Sequence, residues 1–221
     1  MKTIRIDLVS DIACPWCAIG FTRLQQAFKT LPELQLQLHW RAFELNPDPN
    51  LVPEPILPAL SKKYGQSEEA MRQSQQNLMA IAADLGLNFQ KMQQRYTCNT
   101  FDAHRLMYWA SNFNRQDQLA LALFEAYFGE AQNMAEPAVL LHCVAKAGLD
   151  SNAAATLLAS TQYAAEVRAE LEQARHNGIH SVPAFIINQR YLISGAQEPA
   201  VLAQALQQIA DEQQSANSSS R

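Results

Sequence analysis

A chain of 221 residues can bury a core of its own, and 48% hydrophobic with 17% charged residues is globular, not disordered, composition. A formal net charge of −4 spread along the chain leaves no basic patch for nucleic acid. No apolar run reaches the roughly 18–20 residues of a membrane span.

Met1-Lys-Thr-Ile-Arg-Ile-Asp-Leu carries charges where a secretory leader would be unbroken and apolar, so the expected compartment is the cytoplasm. Disulfides there are mostly transient and catalytic. Ile4, Ile6 and Leu8 alternate with Arg5, Asp7 and Val9, the pattern of a strand. After a short turn comes Cys14-Pro15-Trp16-Cys17 at the start of a helix. Proline suits the first helical position, where no donor is missed. A cysteine at a helix N-terminus meets unsatisfied N–H groups and partial positive charge, which favour the thiolate, the attacking species in redox chemistry. Residues i and i+3 face each other at about 5–6 Å between Cβ atoms, within reach of a disulfide. Cys14 is therefore the expected nucleophile and Cys17 the resolving thiol. A zinc site would need two further ligands, but Cys98 and Cys143 are isolated and no second C-x-x-C occurs, so no metal is expected.

The helix runs through Ile19, Leu24 and Phe28 and stops before Pro32. Leu34, Leu36, Leu38 and Trp40 then alternate with Gln35, Gln37, His39 and Arg41, the clearest strand in the chain, with His39 on its polar face. The β-α-β order predicts parallel strands. Five prolines between Asn46 and Pro58 predict an extended connector. From about Ser61 to Gly178 the pattern is helical. Helices are expected after a Ser67 cap and an Asn99 cap, and over Leu119–Phe128, Pro137–Ala147, Asn152–Leu158 and Thr161–Asn177. Cys143 falls in an apolar helix pattern and reads as a small hydrophobe, whereas Cys98, just before a cap, is expected to be more exposed. Ala184–Ile187 and Tyr191–Ser194 read as a hairpin, Pro199 opens a last helix, and 215–221 reads as a disordered tail. The division is thus 1–58 with 179–214, a helical insertion over 59–178, and the tail. The chain carries no signal of oligomeric state.

Gly178-Ile-His180-Ser181-Val182-Pro183-Ala184-Phe185, taken with Cys14-Pro-Trp-Cys17 and the split β-α-β then β-β-α order, resembles the thioredoxin superfamily, in its DsbA-like branch with helical insertions. The implied class is α/β: a thioredoxin-like fold with a large all-helical insertion. The resemblance implies a cis Val182–Pro183 peptide beside the cysteines, a form that costs X–Pro only about 0.5–1 kcal/mol. It also implies a substrate groove formed by Pro15, Trp16, Val182 and Pro183. Ser194-Gly195-Ala196-Gln197 and Asn99-Thr-Phe-Asp102-Ala-His104-Arg105-Leu106 are similar to the FrnE-like proteins, grouped with hydroxychromene-carboxylate isomerases and kappa-class glutathione transferases. That likeness implies a site lined by Asn99, Asp102, His104, Arg105, His180, Gly195 and Gln197. The isomerases and transferases typically carry serine where this chain has Cys14. Two thiols here favour dithiol–disulfide exchange with protein or small-molecule thiols, with no bound cofactor and glutathione at most a co-substrate. The competing readings are a glutathione-dependent isomerase or transferase acting on a small aromatic or polyketide-like substrate, and a chaperone-like binding module without catalysis.

Overall fold

The structure, a computed structural model, describes residues 2–219, with side-chain burial described through Gln213. Strands β1 (Lys2–Ser10) and β2 (Leu34–Ala42) pair in parallel through the crossover helix α1 (Pro15–Lys29). Strand β3 (Ala184–Ile187) lies antiparallel on the other edge of β1, and β4 (Tyr191–Ser194) completes a hairpin, giving the order β2-β1-β3-β4. Asn188 and Gln189 turn that hairpin in left-handed conformations (φ 51° and 58°). The Asn188 side chain also accepts a hydrogen bond from the Arg5 amide at 3.1 Å, tying the turn to β1.

The period-2 pattern of β1 decides what each face of the sheet meets. Ile4, Ile6 and Leu8 are fully buried in the main core with Phe21 and Leu24 of α1 and Leu206 of α9 (Pro199–Ser219). Each such side chain contributes roughly 1.5–3 kcal/mol by leaving water. On the opposite face Asp7 is held by Arg5 (2.9 Å) and Arg41 (2.7 Å), and Arg41 continues to Glu170 at 2.8 Å. Burial works to raise the Asp7 carboxyl, but the two guanidiniums win and hold it below the usual carboxylate range. Glu170 belongs to α8 (Ala164–His176), which covers this face.

Between β2 and β3 the chain folds into α2 (Ile56–Tyr64), α3 (Glu68–Asp84), α4 (Phe101–Ala110), α5 (Gln116–Phe124), α6 (Pro137–Lys146), α7 (Ser151–Leu158) and α8. A 3-10 turn at Ser111–Phe113 precedes α5, and a π turn at Glu125–Gly129 follows it. Helices α3 to α7 share the main core with the sheet, α8 packs on its opposite face, and α2 packs against Met71 of α3. The ring of Trp40 lies 4.8 Å from Phe21 and 6.3 Å from Phe124, and its indole N–H donates to Asp117 at 2.7 Å.

Three expectations change. The connector is shorter than its prolines suggested, because α2 begins at Ile56 and absorbs Pro58 in its first turn, where the missing N–H would have had no partner. Thr100, not Asn99, holds the cap position of α4; the Asn99 side chain still accepts from the Phe101 amide at 2.9 Å, while the Thr100 hydroxyl is drawn to Asp11. The expected disordered tail is helical backbone as far as Ser219, with Ser220 and Arg221 outside the described residues. No Pro or Gly follows Pro199 to break α9, and Gln207–Asp211 and Gln208–Glu212 bond at i,i+4 along it.

Candidate active site

Cys14 sits in the N-cap position of α1 with extended backbone (φ −97°, ψ 113°), and Pro15 opens the helix. The Cys14 amide donates to the Asp11 carbonyl at 3.1 Å, and the Cys17 amide donates to the Cys14 carbonyl at 3.0 Å. All four cysteines are free thiols. Cys17 is completely buried, Cys14 is 5% exposed and Trp16 beside it is 40% exposed. Anything approaching the pair therefore meets Cys14 and the indole of Trp16 first.

The second wall is the segment before β3. The Cys14 thiol donates to the Val182 carbonyl at 3.5 Å, and the Val182–Pro183 peptide is cis. Gly20 lets α1 come close to this segment: a Cβ there would stand 2.9 Å from Pro183 Cγ. Gly195 (φ 78°) donates its amide to the Pro183 carbonyl at 2.8 Å from the other side. Cys14 and Cys17 at the start of α1 and Pro183 before β3 are thus brought together from two distant parts of the chain.

The two thiols differ in environment. Burial, and then the hydrogen bond and charge of the Cys14 sulfur, hold the Cys17 thiol well above its ordinary range, while the Ser10 hydroxyl and the Asp11 amide act against them. Cys17 is therefore a protonated thiol at neutral pH, and Cys14 is the sulfur that an incoming disulfide can reach.

Sequence reasoning missed the group that holds this loop. Asp11 is fully buried. It accepts from the Ala13 amide (3.0 Å), the Leu45 amide (2.7 Å) and the Thr100 hydroxyl (2.8 Å). It thereby fastens the loop before Cys14 to the end of β2 and to the start of α4. Its signal was a carboxylate standing between the apolar strand and Ile12-Ala13, where burial demands partners. His104 is buried against it, Nε2 3.5 Å from Asp11 Oδ1, without forming a hydrogen bond. Asn99 is half-buried and donates to Glu44 Oε1 at 3.1 Å, and burial raises the Glu44 carboxyl. Arg95, also missed, is 2% exposed and packs over the rings of Tyr127 (5.3 Å) and Phe128 (5.1 Å). Burial presses its guanidinium below the usual value, opposed by Tyr127, Cys98 and Cys14.

Other expected site residues are engaged elsewhere. Arg105 is neither solvated nor open to a ligand. It is 4% exposed and donates to Asp102 (2.8 Å) and to the carbonyls of Gln162 (2.9 Å), Leu157 (2.7 Å) and Ser160 (2.6 Å). Asp102 and Arg105 join α4 to the α7–α8 connection, because burying a guanidinium requires acceptors for its fork of donors. Gln197 turns back to the Ser194 carbonyl at 2.8 Å. His180 is exposed, two residues before Val182.

Cys98 is 2% exposed, contrary to expectation, since the chain leading to it pairs with residues 54–56 and the Tyr127 side chain covers it. Burial pushes the Cys98 thiol up to about 11 and the Cys143 thiol up to about 12. At pH 8 only about one Cys98 in a thousand is then thiolate. Iodoacetamide at pH 8 is expected to label Cys14 in the native protein while leaving Cys98 and Cys143 untouched until the chain is unfolded. Mass spectrometry of the peptides reads this directly, and labelling of Cys98 as fast as Cys14 would refute the burial.

The model of the DsbA-like thioredoxin domain matches residues 5–207. The chain belongs to the DsbA-like thioredoxin family. Among curated relatives of this family member, an uncharacterized protein of Bacillus subtilis, YwbO, is 28% identical over 213 residues, spanning 96% of this chain and 98% of that one. A crystal structure described as a probable DsbA oxidoreductase from Streptomyces coelicolor is 35% identical, with a TM-score of 0.87 over 93% of this chain and 89% of that chain. The cytosolic disulfide reductase DsbM of Pseudomonas aeruginosa, solved with GSH, shares the fold at 17% identity, with a TM-score of 0.61 over 92% and 98% of the two chains. Among the described residues of this DsbA-like protein, no helix is long and apolar enough to cross a membrane.

Proposed function

We propose that the protein is a thiol–disulfide oxidoreductase in which Cys14 attacks and Cys17 resolves. The observation that carries this reading is the pairing of a rim thiol at a helix start with a fully buried thiol one turn inward. The Cys14 sulfur attacks one sulfur of a substrate disulfide and expels the other as a thiolate, leaving a mixed disulfide on Cys14. Cys17 then loses its proton and attacks Cys14, the Cys14–Cys17 disulfide forms, and the second substrate thiol departs. Both cysteines are oxidised and one substrate disulfide is reduced; the reverse sequence oxidises a dithiol. Trp16 and the backbone at Val182 would flank the substrate sulfur, Trp16 as an exposed apolar surface and Val182 as a chain edge.

The substrates proposed are protein or small-molecule disulfides, with glutathione as a thiol partner and not as a resident cofactor. The presence of GSH with the DsbM structure supports that partner class. The fold shared with that cytosolic reductase also supports a cytoplasmic setting. We place the protein in the FrnE-like branch on its Asn99–Leu106 and Ser194–Gln197 segments. In the presence of dithiothreitol the protein is expected to accelerate reduction of insulin disulfides, and Cys14→Ser is expected to return the rate to that of dithiothreitol alone. Acceleration that persists in Cys14→Ser would overturn the assignment.

A further inference from the structure

Cys17, Gly20 and Arg23 follow one another at a spacing of three along α1, leading away from the site on one side of the helix. Gly20 is where α1 comes against Pro183, and a Cβ there would also stand 3.4 Å from the Cβ of Ala196. Arg23 lies one turn further on, with its side chain only 12% exposed. Its Nη1 donates to the Ala196 carbonyl at 2.7 Å, and its Nη2 meets Glu198 Oε1 at 2.6 Å. Nε is buried without a partner. A guanidinium enclosed to this degree needs acceptors for its fork of donors, and this one directs two arms at the loop between β4 and α9. Among the described residues, the polar bonds from α1 to that loop all come from Arg23.

The loop in turn holds the wall opposite Cys14. The Gly195 amide donates to the Pro183 carbonyl at 2.8 Å, and Ser194 pairs with Ala184. Next to Pro183, the Val182 carbonyl accepts from the Cys14 thiol at 3.5 Å. A contiguous path thus runs from Arg23 through Ala196 and Gly195 to Pro183 and Val182. We propose that Arg23 is a positioning residue: by holding residues 195–198 it fixes the Val182–Pro183 wall, and with it a preference for disulfides carried on an extended chain over small disulfides. The inference rests on the reading of Cys14 as nucleophile and of Val182 as the chain edge beside it. A substrate chain laid along Val182 needs that edge in place, since a displacement of about 1 Å can cost a hundredfold. A small disulfide has no chain to lay there and needs only the Cys14 sulfur. Of the two acceptors Ala196 matters more, because Glu198 is 66% exposed and an ion pair in water contributes little.

The test compares insulin reduction under dithiothreitol with the first thionitrobenzoate release from stoichiometric dithiobis(nitrobenzoate), and adds hydrogen exchange at the Gly195 amide. Arg23→Met keeps the apolar stem and removes the fork. It is expected to raise KM for insulin about tenfold with kcat within about twofold, and to leave the first release within about twofold of wild type. The Gly195 amide should exchange at least about tenfold faster, a readout that needs no activity. Glu198→Gln should stay within about twofold of wild type with both substrates. Arg23→Lys should recover part of the loss, because an ammonium lacks the fork that serves both acceptors. A wild-type KM for insulin in Arg23→Met would overturn the proposal. Equal slowing with both substrates would overturn it too, by placing the effect on Cys14 itself. Should Arg23→Met not fold, Arg23→Lys carries the test: a KM raised about threefold with an unchanged first release supports the proposal, and a wild-type KM overturns it. Failure of the wild type to reduce insulin would instead overturn the oxidoreductase reading, while Gly195 exchange still decides whether Arg23 holds the loop.

Discussion

Cys17→Ser is expected to stop the reaction halfway, with one substrate thiol bound to Cys14 and no further turnover. In the mechanism proposed above Cys17 lies one helical turn from Cys14 and attacks the mixed disulfide intramolecularly, an advantage no dilute external thiol matches. Turnover with a protein disulfide should fall at least about a hundredfold, and the mixed disulfide should accumulate to one equivalent. Mass spectrometry of the quenched reaction should find the adduct on Cys14 alone. An adduct on Cys98 or Cys143 would contradict the assignment, because burial keeps both as thiols at neutral pH. Full turnover in Cys17→Ser would show that resolution does not pass through this residue.

Arg105→Ala is expected to give a large loss of stability, about 2–4 kcal/mol, from carbonyls left without a donor. The substitution leaves the carbonyls of Ser160 and Gln162 without the donor they face, takes one donor from the Leu157 carbonyl, which keeps the Ser160 amide and hydroxyl, and removes the ion-pair partner of the partly exposed Asp102. Arg105→Lys should recover only part of this, since an ammonium cannot reproduce the fork of a guanidinium. Urea unfolding reads both variants. A midpoint for Arg105→Ala close to that of wild type would show that the network contributes little. Iodoacetamide labelling of Cys14 in the folded variant should remain close to wild type, separating this stabilising role from a ligand-binding one.

The contrast between Arg105 and Cys14 shows what a linear reading captures. Strand periodicity over Ile4–Val9 and Leu34–Arg41, the Cys14–Cys17 spacing and the Val182-Pro183 pair are local patterns, and each has one physical outcome that the fold retains. Arg105 in isolation looks like any charged residue on a helix face. Only the path of the chain between α7 and α8, some fifty residues later, supplies the carbonyls that bury it. Asp11 and Arg95 escaped notice for the same reason. Asp11 is understood through Leu45 and Thr100, and Arg95 through Tyr127 and Phe128. Cys98 was misjudged because its position before a helix said nothing of the strand-like pairing between Glu54 and Thr97 that encloses it.

The most direct measurement is the equilibrium of the protein with mixtures of reduced and oxidised glutathione, followed by peptide mapping after acid quench. The account predicts a single two-electron transition in which a Cys14–Cys17 disulfide forms while Cys98 and Cys143 stay reduced. Failure of these two sulfurs to join at any glutathione ratio, or a disulfide that engages Cys98 instead, would contradict it.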